Sequence, residues 1–143
     1  AGARILSKAV IQSFRKGIIN FHPGLIPEMR GLDCVQWTIY EGLPLGITSH
    51  LIDERVDAGR IIERRILPEY SDDTLFDLSE RLHQGQLERF SSTIDAVLNQ
   101  EKDYFTVAQW DKCPPYGPFP AEYESEMLIR FKERFPDAGH GSA

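Results

Sequence analysis

The chain has 143 residues, 41% hydrophobic and 27% charged, with a formal net charge of −6 and a pI near 5.2. That is enough for one domain with a real core and too little to expect two, and the acidic balance argues against a dedicated nucleic-acid binder, which shows a basic face. No apolar run approaches the roughly 18 residues of a membrane span, no basic-then-apolar segment opens the chain, and Cys34 and Cys113 lack disulfide-framework or metal-site spacing, so a cytoplasmic protein is expected.

The opening "AGARILSKAVIQSF" starts without a methionine and predicts a loop, then a helix over 7–15. "GIINFH" (17–22) follows as a short apolar strand of the kind buried in a parallel sheet. Its period of two puts Ile18, Asn20 and His22 on one face and Ile19 and Phe21 on the other. Pro23, Gly24 and Pro27 impose an irregular loop, with Ile26-Pro27 open to either isomer. Asp33 is placed to cap a helix over 34–41, with Val35 and Ile39 inward.

"LGITSHLI" (45–52) predicts a strand with Thr48, His50 and Ile52 on one face. The loop "DERVDAG" carries Asp53 and Asp57. The charged strand "RIIERRILPEY" (60–70) suits an exposed or edge position. The longest helix is expected over 72–100, with an apolar stripe of Leu75, Leu78, Leu82, Phe90, Ile94 and Val97 and with Asp72 and Asp73 in its first turn. "DYFTVAQW" (103–110) reads as a strand, 111–120 as a proline-rich turn region, 121–135 as a helix and 136–143 as a frayed tail. This alternation predicts an α/β fold with a mostly parallel sheet and ligands beyond the carboxyl ends of strands, where Asn20 and His22 fall.

Taken singly, Asn20 is an ordinary strand-end turn former, His22 a satisfied core histidine and Asp57 a loop carboxylate. Converging, they can manage acyl-type transfer to an amine. An Asn amide and an imidazolium can donate to a developing oxyanion, and a carboxylate can orient the imidazole and assist proton movement. No Ser or Cys nucleophile is needed, because the amine itself attacks. His22, His50 and Asp57 also compose a two-His-one-carboxylate metal set, a reading that leaves Asn20 idle.

"NFHPGLIPEMRG…GITSHLIDERVDAGRII" resembles the signature of the formyltransferase superfamily, over about residues 2 to 98. That superfamily includes glycinamide ribonucleotide formyltransferase, methionyl-tRNA formyltransferase and nucleotide-sugar N-formyltransferases. The resemblance implies 10-formyltetrahydrofolate as co-substrate, no metal, and Asn20, His22 and Asp57 as catalytic residues. It implies that Arg4, Ile5 and Leu6 border the pterin ring, with Asp53, Glu54, Val56 and Asp57 as the opposite wall. Thr48 and His50 are implied as supporting residues. The family's amino-terminal half, with its Gly-rich turn, does not appear in these residues. The expectation is therefore the carboxy-terminal half of a Rossmann-like catalytic domain over 1–100 and a short extension with a flexible tail over 101–143. The implied partner is a small amine, phosphorylated or nucleotide-linked, rather than tRNA. Self-association or pairing with the missing half is a further expectation, as is, alternatively, an inactive folate-binding domain.

Overall fold

Strands β1 (Ile19–His22), β2 (Gly46–Ile52), β3 (Gly59–Ile66) and β4 (Phe105–Thr106) form one sheet in that order. A computed structural model of the chain describes residues 6–99, 104–106 and 110–139. The α/β class holds, but every strand pair among the described residues is antiparallel, against the expected parallel sheet. The loop 53–58 between β2 and β3 is too short for a parallel crossover, which needs a dozen or more residues. The connection from β1 to β2 is long enough for either direction, and an apolar strand carries no signal of its pairing direction.

Register decides what meets across the sheet. Asn20 pairs with His50 and His22 with Thr48, so four polar side chains share one face. A bulge between β2 and β3 follows Ser49, which pairs with Glu63 while His50 pairs with Ile61. Ile62 is the extra residue, and so two successive β3 side chains serve the opposite face. Ile62 clusters there with Leu51 and Val97, and Glu63 pairs with Arg89.

That opposite face carries α3 (Leu75–Asn99). The helix begins later than 72: Thr74 and Asp77 exchange hydrogen bonds, Thr74 N to Asp77 Oδ2 at 2.8 Å and Asp77 N to Thr74 Oγ1 at 3.2 Å. This is a capping box, so Asp72 and Asp73 precede the first turn. Asp73 is instead buried, accepting from Tyr70 N and from Arg81. Gly85 lets the helix close on the sheet, because a Cβ there would lie 3.2 to 3.3 Å from Leu67 and Ile47. Leu78, Leu82 and Val97 are buried as the stripe predicts, whereas Phe90 is 52% exposed, its ring 5.5 Å from that of Phe21.

The largest core cluster joins Ile39, Leu45, Ile47, Leu67, Leu78 and Leu82 to Met127, Phe131 and Phe135. The last three belong to α4 (Glu124–Arg134) and its C-cap, so the carboxy-terminal helix shares the main core. Arg134 fixes it, donating to Glu69 at 2.6 and 2.8 Å and to Leu43 O at 2.8 Å. The segment expected to fray starts inside this packing: Asp137 N donates to Ser71 O, and Ala138 packs against the cluster. Residues 140–143 lie outside the described residues, as do four of the eight in the strand expected over 103–110.

Of the remaining elements, α1 (Lys8–Gln12) is capped by Ser7, and α2 (Cys34–Tyr40) follows the Pro-rich loop, in which Ile26-Pro27 is cis. Asp33 sits at the N-cap position of α2 in the left-handed region (φ 47°) and makes no side-chain cap. Its carboxylate accepts from Phe119 N at 2.8 Å instead. The expected cap is thus a tether to a distant segment.

Candidate active site

The polar face of β1 and β2 becomes a site when the loop 53–58 delivers Asp57 to it. Asp57 has φ 41°, an uncommon conformation for a residue with a side chain, and its carboxylate is held at both oxygens. Oδ2 accepts the backbone N–H of Gly31 at 2.9 Å. Oδ1 accepts from Asn20 Nδ2 at 3.3 Å and lies 3.5 Å from His22 Nδ1. The three predicted catalytic side chains therefore meet at one atom.

His22 is 3% exposed. Its Nε2 lies 3.1 Å from Met29 O and 3.6 Å from the Cys34 thiol. A carbonyl only accepts, so Nε2 carries a proton, and Nδ1 faces the carboxylate. Burial pushes the imidazole below its ordinary value, against the upward pull of Asp57 and of the Met29 bond. A negative charge developing nearby adds to that upward pull, so the ring binds its second proton better as an oxyanion forms. Burial pushes the Cys34 thiol up to about 12, which keeps it protonated and removes it as a nucleophile.

Thr48 and His50 support this face from β2. Thr48 Oγ1 donates to Gly24 O at 2.7 Å and accepts from Ile26 N at 3.0 Å, pinning the loop that follows His22. His50 is fully buried, with Nδ1 2.9 Å from Ala58 O and Nε2 3.1 Å from Asn20 Nδ2. Both of its nitrogens are committed, which takes it out of the two-His-one-carboxylate set. No group of three His, Cys, Asp or Glu residues among those described is disposed to hold a metal ion.

A cavity of about 530 Å³ opens beside this cluster, its walls including Leu6, Ile18, Leu32, Asp53, Val56 and Asp57. Of the expected pterin-side residues, Leu6, Asp53, Val56 and Asp57 face it. Glu54 turns aside to pair with Lys8 at 2.9 Å, and Arg4 and Ile5 lie outside the described residues. Arg55, within the same expected loop wall, faces it too. It donates to Asp53 at 3.1 Å, and although burial raises that carboxyl, the Arg55 bonds hold it below its ordinary value. Met29 O, Gly31 N and Ala58 O were missed. They act through backbone atoms, which leave no side-chain signal, although a glycine in a Pro-rich loop marks Gly31 as a candidate.

The loop 30–33 is clamped from behind by the carboxy-terminal segment. Tyr116 N donates to Arg30 O at 2.8 Å, and Leu32 N to Tyr116 O at 3.0 Å. Trp37 Nε1 donates to Gly117 O at 2.9 Å, and the Trp37 ring lies 4.6 Å from that of Tyr116 and 4.8 Å from that of Phe119. Residues far along the chain thus fix the loop that holds Asp57.

The family model described as Formyl transferase matches residues 2–94. The chain belongs to the formyl transferase family. Phosphoribosylglycinamide formyltransferase of Bacillus subtilis is 32% identical over 96 residues, which are 66% of this chain and 49% of that protein. Methionyl-tRNA formyltransferase of Synechococcus sp. (strain JA-3-3Ab) is 33% identical over 120 residues, 82% of this chain and 36% of that protein. The chain therefore spans half or less of these relatives. In fold it resembles the formyltransferase PseJ from Anoxybacillus kamchatkensis, solved with UDP-4,6-dideoxy-4-formamido-L-AltNAc and tetrahydrofolate. The TM-score is 0.73 at 24% identity, over 89% of this chain and 65% of PseJ. In this formyl transferase chain, all three residues that meet at Asp57 Oδ1 lie within the matched segment.

Proposed function

We propose that the chain carries the catalytic face of an N-formyltransferase. It would move a formyl group from 10-formyltetrahydrofolate to a primary amine of a small, phosphorylated or nucleotide-linked amino-sugar substrate. The observation that carries this reading is the meeting of Asn20, His22 and Asp57 at one wall of a cavity sized for a drug-like heterocycle. Apolar groups such as Leu6, Ile18 and Val56 offer faces to a flat ring, and the polar cluster stands where the ring's substituent would end. These features fit a folate.

Bound there, the folate supplies an activated formyl carbon to the incoming amine. Asn20 Nδ2 donates to the formyl oxygen as negative charge gathers on it. His22 reinforces that bond, gaining proton affinity as the charge grows. Asp57 holds the imidazole in register and lies within reach of the proton that the amine releases and the folate nitrogen takes up. Burial of His22, with Asn20 half-buried beside it, strengthens each of these contacts.

Support for the amino-sugar class comes from the fold. The likeness to PseJ takes in 89% of the chain and so reaches beyond the 2–94 match toward α4. The net charge of −6 weighs against a tRNA acceptor. A second reading, a glycinamide ribonucleotide or methionyl-tRNA acceptor, is favoured by the 32–33% identity to those relatives. Calorimetric titration of the chain with 5-formyltetrahydrofolate, a stable analogue of the donor, tests the folate site. Binding that Val56→Asp abolishes supports the reading, and absence of binding to the wild-type chain contradicts it. Nucleotide-linked amino sugars, glycinamide ribonucleotide and methionyl-tRNA, offered as competing amines, separate the two classes.

A further inference from the structure

We propose that His50 is a positioning residue for this transfer: a tautomer-locked acceptor that fixes which end of the Asn20 amide faces the reacting oxygen. The inference rests on the functional reading above, although its structural half stands alone. Ala58 O can only accept, so His50 Nδ1, 2.9 Å away, must carry the proton. The ring is fully buried at the centre of β2, and burial favours its neutral form. Nε2 is then a bare acceptor, and the Asn20 group 3.1 Å from it must be the NH₂ and not the carbonyl.

One N–H of Asn20 is thereby spent on His50. The other reaches Asp57 Oδ1 at 3.3 Å, the atom that also lies 3.5 Å from His22 Nδ1. The N–H of Asn20 and the Nδ1 of His22 thus face one place, and an oxygen arriving there can accept from Asn20 at once and from His22 when the growing charge draws a second proton onto Nδ1. Turned by 180°, Asn20 would present its carbonyl, which repels an oxyanion. An amide rotates freely in a polar pocket unless something sorts nitrogen from oxygen. Two acceptors do so here, His50 Nε2 at 3.1 Å and Asp57 Oδ1 at 3.3 Å. His50 is the one that still does when an arriving oxygen takes the N–H that Asn20 gives to the carboxylate. The titratable and charged groups facing His50 are His22 on β1 and Asp53 and Asp57 on the loop, and Asn20 opposite it is neutral.

The test is made on the full chain, uniformly ¹⁵N-labelled. At pH 7 the His50 ring should show the neutral Nδ1–H pattern in long-range ¹H–¹⁵N correlation, with a coupling through the hydrogen bond between Asn20 Nδ2 and His50 Nε2. An Nε2–H tautomer, or an imidazolium, overturns the proposal whatever the activity. For catalysis, His50→Gln keeps an acceptor and a donor, and His50→Leu removes both. The Leu variant should lower kcat by about 10²-fold with donor KM unchanged, while the Gln variant stays within about tenfold of wild type. Equal kcat in the two variants overturns the positioning role. If the wild-type chain formylates no amine, the functional reading fails, and the tautomer still decides the structural claim.

Discussion

Gly31 donates its backbone N–H to Asp57 Oδ2 at 2.9 Å while its Cα faces Tyr116 so closely that a Cβ would lie 2.1 Å from the Tyr116 carbonyl oxygen. The glycine also has φ 104°, a conformation that side chains resist. One residue therefore couples the catalytic carboxylate to the carboxy-terminal segment. Gly31→Ala should destabilise the fold by about 3 kcal/mol, from strain and displaced backbone. A urea midpoint unchanged from wild type would show that the two sides are not coupled through this position.

Asp57→Asn keeps the shape and an acceptor for Gly31 N–H but removes the charge beside His22. If the carboxylate serves the imidazole, kcat should fall by about 10²- to 10⁴-fold while donor binding changes little. Steady-state kinetics in parallel with titration of 5-formyltetrahydrofolate separates the two effects. A loss confined to KM would place Asp57 in binding alone.

Much of this site is legible in the sequence, for a physical reason. A strand has a period of two, so the shared face of Asn20 and His22 follows from spacing alone, as does that of Thr48 and His50. The helices at 34–41, 72–100 and 121–135 follow from their apolar stripes. What is not legible depends on atoms that every residue has. Met29 O, Gly31 N and Ala58 O carry no side-chain signature, and the antiparallel pairing of β1 is decided by a long connection with no directional code. Asp33 illustrates the limit: its position predicts a cap, yet its left-handed backbone sends the carboxylate to Phe119.

Stability should depend on pH through the two buried histidines. Burial lowers both His22 and His50 from an ordinary value of 6.5, so the unfolded chain binds more protons just below that pH. The stability is fully present above about 6.5, declines as pH falls, and is lost once pH passes the folded values. Asp73, held low by Arg81 despite its burial, loses its contribution only below its ordinary 3.8, so the two windows separate. Thermal midpoints from pH 8 to 5 should fall, and His50→Gln should flatten the slope. A midpoint flat across that range would contradict neutral burial of both rings.

Cys34 should resist alkylation. Its thiol is buried and pushed up to about 12, whereas Cys113 is partly exposed. Iodoacetamide at pH 8, followed by peptide mass spectrometry, should label Cys113 well before Cys34. Faster labelling of Cys34 would mean a thiolate beside His22 and a different charge balance in the site.

The central claim is that Asn20 and His22 meet the formyl oxygen in transit. Its most direct test is formyl transfer from 10-formyltetrahydrofolate to a nucleotide-linked amino sugar, measured for the chain and for His22→Ala, with donor binding titrated alongside. The expected result is formamide product from the wild type, turnover reduced by at least about 10³-fold in the variant, and donor affinity retained. A His22→Ala variant that transfers formyl groups at the wild-type rate would contradict it.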